Sequence, residues 1–126
     1  MEIAGIGTQI LECQRVKQLL ERHADAFLAR VFTPEEQAHC QGRTRPIEAF
    51  TAHWAAKEAA LRCLGMTWNR SILWTNIRVV CEPMRLPRLE FAGAMSDIVA
   101  GQRIVGWHLS MAHCRTYATA TAVACR

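Results

Sequence analysis

The segment YATATAVA, residues 117–124, carries an alanine at every second position. Successive side chains of a β-strand point to opposite faces, so one face would be all alanine and the other would hold Tyr, Thr and Val. A face made of alanines cannot fill a core alone, so another element is expected to pack very close to it. With the residues before it, the segment predicts a closing hairpin whose strands cover about 103–112 and 116–125.

A long helix is predicted at about 47–64, with Gly65 as the residue that follows its C-cap. At about 100° per residue, Lys57 falls inside the apolar arc of this helix and Glu58 falls at the edge of that arc. A charge removed from water is costly unless it is paired, hydrogen-bonded or bound to an ion. Either Lys57 extends to the surface while Glu58 lies at a tolerant boundary, or the two charges serve a site.

The remaining elements are predicted from hydrophobic periodicity and turn residues. The first half of the chain holds a strand at about 3–7, helical segments at about 11–22 and 24–31, and a helix that begins at the capping box Thr33-Pro34-Glu35-Glu36. After the long helix, strands are predicted at about 73–81 and 87–91, followed by a short helix at about 94–100. Helices come first and antiparallel-looking strands come last. This order favours an α+β fold in which helices pack on a small, mainly antiparallel sheet.

The composition limits the class of protein. With 126 residues, 51% of them hydrophobic, residues 1–126 suit one compact domain. Neither a secretory signal nor a long apolar run is present, which predicts a cytoplasmic chain with no membrane association. The six cysteines form no Cys-x-x-Cys pair and are expected to be reduced. A net charge of +4 favours an acidic partner, but the basic residues are too dispersed for a nucleic-acid surface, so no nucleic acid is expected.

Other chemical motifs are weak. His108 and His113 are five residues apart on a presumed strand, so they point to opposite faces and cannot grip one metal without a bend. The Gly-Ile-Gly at 5–7 lacks the rest of a phosphate-binding fingerprint, and tight packing at a strand is the simpler interpretation. No Gly-x-Ser-x-Gly elbow surrounds Ser110.

Five segments occur in an order typical of one family. They are GIGTQILECQRV, RVFTPEE, WAAKEAALRCLG, LPRLEF and HLSMAHCRTYATATAV, and they cover essentially the whole chain. They resemble segments of the holo-acyl-carrier-protein synthases, which are phosphopantetheinyl transferases. The central segment is similar to that family's [FW]-A-x-K-E-A helix, and the last to its H-x-S-x-x-H-x-x-x-Y-A hairpin. The two are specific in combination.

The resemblance implies an activity. The chain would be a transferase that moves 4′-phosphopantetheine from coenzyme A to a serine of apo acyl carrier protein, for fatty acid or polyketide synthesis. It would use Mg²⁺ and release adenosine 3′,5′-bisphosphate. The resemblance also implies a homotrimer with active sites between subunits, and the alternating alanines within 117–123 are predicted to contribute to that interface.

The resemblance implies site residues as well. Glu58 would hold Mg²⁺ together with Gln9, which stands at the family's metal-binding Asp, and Glu58 and Lys57 would be catalytic. Arg15 and Arg22 would dock the acidic carrier protein. The residues implied for cofactor binding are His53, Arg62, Gly65, Pro87 and His113.

Four residues depart from the family pattern. Gln9, His53, Arg62 and Met66 stand where the family has Asp, Arg, Lys and Thr. An amide oxygen can ligate Mg²⁺ but adds no charge, so the metal affinity is expected to drop. The departures leave a second hypothesis, in which the chain is a catalytically impaired homologue that binds the carrier protein or coenzyme A as a trimer.

Overall fold

The computed structural model describes residues 1–126. Its elements are β1 (Ile3–Glu12), α1 (Cys13–Val31), α2 (Pro34–Gln41), α3 (Pro46–Cys63), a 3₁₀ turn (Trp74–Asn76), β2 (Ile77–Val80), β3 (Arg88–Phe91), α4 (Gly93–Gly101), β4 (Gly106–His113) and β5 (Tyr117–Cys125). Strands β1, β5 and β4 form an antiparallel sheet in that order, and β2 and β3 form a second antiparallel pair. The α+β prediction is confirmed.

Helix α3 packs on β1 and β5 through small side chains. The alternating alanines of β5 are at most 1% exposed and face this helix, which carries its own buried alanines. The expectation that an element packs very close to the alanine face is therefore confirmed. The element is a helix of the same chain, so the alanines themselves are not available for an interface between subunits.

The Gly-Ile-Gly motif of β1 also allows α3 to pack close to the sheet. A Cβ at Gly5 would overlap the carbonyl oxygen of Cys63, and a Cβ at Gly7 would overlap that of Ala59. Both carbonyls belong to α3, so the two glycines allow the helix backbone to approach the strand. Close packing, and not phosphate binding, explains this motif.

Gly7→Ala is expected to destabilise the protein by about 2–3 kcal/mol. The added methyl group meets helix backbone, which cannot move aside as a flexible side chain would, and overpacking of this kind typically costs about 1–3 kcal/mol. Urea unfolding measures the change. Gly101→Ala is the matched control, because a Cβ there meets nothing within 4 Å. Equal midpoints for the two variants would contradict the close approach.

Several predicted boundaries are wrong, mainly near the N-terminus. β1 continues through Glu12, because residues 8–12 pair with β5, from Thr8 opposite Thr121 to Glu12 opposite Tyr117, and the predicted helix start at about 11 therefore belongs to the strand. The two predicted helical segments form one helix with a break at Ala24, whose φ is 43°. The strand predicted at 73–81 is reduced to β2 by the preceding 3₁₀ turn. None of the helices is long and apolar enough to cross a membrane.

Candidate functional site

Glu58 lies on α3 beside the strand that the helix covers. Gln9 is on the helix-facing side of β1, two residues beyond Gly7, and its Nε2 donates a hydrogen bond to Oε2 of Glu58. The other end of the same amide, Oε1, accepts from the backbone N–H of Ile10 at 3.0 Å. The predicted pairing of Gln9 with Glu58, 49 positions apart in the chain, is thus present in the fold.

Arg62 lies one helical turn after Glu58. The two residues line a small cavity of about 150 Å³ together with Met66 and Trp68. Gly65 ends the helix in the left-handed region, with φ of 70°, where glycine is favoured. Its N–H donates to the carbonyl of Arg62 and the next N–H donates to that of Leu61. We call Gln9, Glu58 and Arg62 the Glu58 cluster.

A groove of about 540 Å³ leads away from Glu58 along α1. Arg15 lines it, so one of the predicted docking residues shares a cavity with the predicted metal ligand. Arg22 is exposed on the same helix, and a separation of seven residues places it on nearly the same face as Arg15. The groove is otherwise aromatic and basic, with Phe27, Trp54, Trp68, Trp74, His23 and Arg30.

Lys57 occupies a different position from the one predicted. Its side chain is fully buried, and Nζ donates to Oε1 of Glu36 at 2.8 Å, to the carbonyl of Val31 at 2.8 Å and to that of Trp74 at 3.1 Å. Burial lowers the pKa of this ammonium group, and the Glu36 carboxylate acts in the opposite direction. All three N–H groups are used inside the protein. Lys57 therefore joins α3 to its neighbours, and it neither faces a phosphate nor extends to the surface.

The remaining predicted cofactor residues meet at a second place, which we call the His113 groove. It has a volume of about 720 Å³ and is lined by His53, Pro87 and His113, along with Arg43 and Arg85. Nδ1 of His113 lies 2.8 Å from Oε2 of the buried Glu48 and donates to it, which orients the ring at the groove wall. His113 is itself 41% exposed, so its other nitrogen is accessible.

His53 cannot replace the charge of an arginine. It is buried in the floor of the groove, and burial lowers its pKa to about 4. At neutral pH the imidazole is therefore uncharged. Its Nδ1–H donates to the carbonyl of Ala49 at 3.0 Å, which leaves Nε2 as an acceptor.

The two clusters lie on different faces of α3. His53 and Glu58 are five residues apart, which corresponds to about 140° around a helix. Each chain thus offers two separate sets of predicted site residues. The sequence analysis treated these residues as one set, because neither their spacing nor their type reveals that they lie at two places in the fold.

The Glu58 cluster fits Mg²⁺ by the chemistry of its oxygens. Glu58 supplies a carboxylate, a hard ligand of the kind Mg²⁺ prefers, and the amide oxygen of Gln9 would be a second such ligand once the amide turns, because its nitrogen now faces Glu58. Their hydrogen bond places the two side chains within reach of one ion. With a single protein charge, the ion would depend on phosphate oxygens and water for the rest of its coordination.

Sequence reasoning missed several residues at both places. Trp54 was recognised only as an apolar residue of the central helix motif, and Trp68 and Trp74 gave no signal because they come from other segments. Arg43 was visible only as part of the basic turn QGRTRP, yet it lines the His113 groove. His39 and Cys81 lie next to His53 and had no motif of their own.

Comparison with known proteins identifies the family of the chain. Residues 5–122 match the family model of the 4′-phosphopantetheinyl transferase superfamily. The chain is 38% identical to the holo-[acyl-carrier-protein] synthase of Rhodopirellula baltica, over 99% of each chain. The solved Neisseria meningitidis holo-[acyl-carrier-protein] synthase superposes with a TM-score of 0.88 at 28% identity, covering 98% of this chain and 99% of that one.

A further solved relative carries a ligand. The holo-(acyl-carrier-protein) synthase of Bacillus anthracis, in complex with coenzyme A (3′,5′-ADP), superposes with a TM-score of 0.77 at 25% identity, over 98% of this chain and 97% of that one. The chain therefore belongs to the 4′-phosphopantetheinyl transferase superfamily and, within it, to the holo-[acyl-carrier-protein] synthases.

Proposed function

We propose that this chain transfers 4′-phosphopantetheine from coenzyme A to a serine of apo acyl carrier protein. The observation that carries the proposal is the Glu58 cluster, where Gln9, Glu58 and Arg62 converge at the end of α3 in a chain of this family. In the reaction, the serine hydroxyl releases its proton and its oxygen bonds to the phosphorus that carries pantetheine. The bond from that phosphorus to the bridging pyrophosphate oxygen breaks, and adenosine 3′,5′-bisphosphate leaves.

The Glu58 cluster would hold the reacting phosphates. Glu58 and Gln9 would ligate Mg²⁺, which supplies positive charge at the pyrophosphate when bound. Arg62 would add a charge beside it and can make two parallel bonds to phosphate oxygens. Gly65 has no side chain to keep a ligand from the backbone at the helix end. We assign the catalytic role to Glu58 and a structural role to Lys57, which joins α3 to its neighbours.

The His113 groove would hold the nucleotide end of coenzyme A. Arg43 and Arg85 bring positive charge to its walls, and Pro87 and His113 line it. His53, whose imidazole is uncharged, would form part of the floor. Because this groove and the Glu58 cluster lie on different faces of α3, we propose that a complete site joins the cluster of one subunit to the groove of another.

A homotrimer would supply that arrangement. The sheet face away from α3 carries the other side chains of β5, namely Tyr117, Thr119, Thr121 and Val123, next to Ile6 and Ile10 of β1, which are 63% and 58% exposed. Exposed apolar side chains on one sheet face are typical of an interface. We therefore place the proposed subunit interface on this face of the sheet, and not on the alanine face that the sequence suggested.

Light scattering at micromolar concentration is expected to give the mass of three chains. Ile6→Glu should lower that mass to one chain, because it buries a charge in the proposed interface. Val105→Glu is the control, since Val105 is 84% exposed and lies at the end of the sheet, just before β4 and away from Ile6 and Ile10 in the chain. A monomeric mass for the unmodified protein would contradict the trimer.

The carrier protein would dock along α1. Arg15 and Arg22 offer charges to an acidic helix, and Arg15 lines the groove that contains Glu58. A serine presented at that end of the groove would lie near the phosphates that the Glu58 cluster holds.

The proposed function is tested by the intact mass of an apo acyl carrier protein after incubation with the chain, coenzyme A and Mg²⁺ or Mn²⁺. A gain of one phosphopantetheine group supports it. The same incubation without divalent metal is the control for metal dependence. No mass gain, with the carrier protein accepted by another transferase, would contradict it.

One observation favours a second candidate function. The Nε2 of Gln9 donates to Glu58, so the carboxylate is hydrogen-bonded without an ion. A chain with this site could bind coenzyme A or the carrier protein and catalyse no transfer. Calorimetric binding of coenzyme A in the absence of any mass gain would identify that candidate.

Gln9→Asp is expected to tighten Mg²⁺ binding about tenfold and to raise the rate of transfer. A second carboxylate beside Glu58 is repelled without metal and neutralised with it, so stability without metal should fall slightly. Calorimetry with Mg²⁺ and the mass assay measure the two effects. Gln18→Asp, an exposed change of equal charge on α1, should alter neither. Unchanged affinity in the Gln9 variant would show that residue 9 does not face the ion.

A further inference from the structure

Three side chains with metal-binding atoms meet in the floor of the His113 groove. They are His39 of α2, His53 of α3 and Cys81, which directly follows β2, and their ligand atoms all lie within 4.8 Å of one another. Sγ of Cys81 is 3.7 Å from Nε2 of His53, and the two imidazole rings have centroids 5.5 Å apart. No two of these residues come from the same helix or strand, so the fold alone creates the cluster.

The spacing suits a tetrahedral transition-metal ion. With Zn–S near 2.3 Å and Zn–N near 2.0–2.1 Å, a sulfur and a nitrogen on one zinc ion lie about 3.6 Å apart. The observed 3.7 Å between Cys81 and His53 is close to that value. Two imidazoles and one thiolate favour zinc over Mg²⁺, which prefers oxygen ligands.

The ring of His53 is already oriented for this role. Its Nδ1–H donates to the carbonyl of Ala49, so the lone pair is on Nε2, the atom nearest Cys81. A hydrogen bond of this kind from the other ring nitrogen fixes the tautomer in most metal-bound histidines.

The surrounding charges partly oppose a cation. Arg43 lines the same groove and carries a positive charge, and burial raises the pKa of the Cys81 thiol. Lys57 is also near, but its charge is compensated by Glu36. An ion must therefore displace the thiol proton and be held mainly by direct bonds to its ligands.

We propose that His39, His53 and Cys81 form a Zn²⁺ site, with the fourth coordination position open to the groove. Its ligands are distinct from the Glu58 cluster. Binding of zinc does not depend on the proposed transfer activity, so either can fail without the other.

Zinc titration of the full chain, in competition with a chromophoric chelator, tests the proposal. The test uses a Cys114→Ser background, because Cys114 is an exposed thiol elsewhere that could bind zinc by itself. One Zn²⁺ per chain is expected. Co²⁺ in place of zinc should give a sulfur-to-metal absorption band and the visible bands of a tetrahedral ion.

The partly exposed ligands give the decisive variants, since they can be changed without opening the core. Cys81→Ser should weaken zinc binding at least 100-fold and remove the sulfur-to-Co²⁺ band, and His39→Ala should weaken binding at least tenfold. His108→Ala, an exposed histidine on β4, is the control and should change nothing. Absence of stoichiometric binding, or equal affinity in the Cys81→Ser variant, would overturn the proposal.

Discussion

Lys57→Ala is expected to lower the free energy of unfolding by about 3–5 kcal/mol, the range for removing one partner of a buried ion pair. The substitution leaves the Glu36 carboxylate, which is 3% exposed, without its cation. It also removes a donor from the carbonyls of Val31 and Trp74. Those three acceptors connect α1, α2 and the 3₁₀ turn to α3, so the loss affects the packing of the whole helical layer.

Urea unfolding followed by circular dichroism measures this effect. Lys17→Ala is the control, because Lys17 is exposed on α1 and should change stability by less than about 0.5 kcal/mol. An equally small loss for Lys57→Ala would mean that the ion pair is not a major stabilising contact. Retained stability with lost transfer would return Lys57 to the catalytic role that the sequence suggested.

Glu58→Gln is expected to lower the rate of transfer at least about 100-fold while the fold remains intact. Two amides at positions 9 and 58 would leave no protein charge for Mg²⁺. Stabilisation of developing charge in a site typically accounts for about 10²–10³ in rate. Because Glu58 is only partly buried and makes no ion pair, its loss should affect stability little.

The mass assay and a Mg²⁺ titration check this prediction. Glu35→Gln, an exposed change of the same kind at the start of α2, should keep full activity. A Glu58→Gln variant with full activity would remove the metal-site assignment. A variant that has lost both activity and folding would be uninformative about the site, so the urea midpoint is measured in parallel.

The sequence determined the elements whose signal is local. Alternating alanines at 118–124 and the glycines at 5 and 7 indicated a strand face and a strand that something must approach closely. The capping box at Thr33 and the left-handed Gly65 were readable because caps and turns depend on a few neighbouring residues. The position of Lys57 inside an apolar arc was also correct, since a helical period fixes which residues share a face.

The tertiary structure decided which faces meet. Lys57 pairs with Glu36, which is 21 positions away in the chain, and Glu58 contacts Gln9, which is 49 positions away. No local sequence pattern encodes either pairing. Pairing with β5 extended β1 through Leu11 and Glu12, where the sequence had placed the start of a helix. Periodicity states which side of an element is buried, but the partner is chosen by packing of distant segments. For that reason the family resemblance of the sequence named candidate site residues, and only the fold separated them into the Glu58 cluster and the His113 groove.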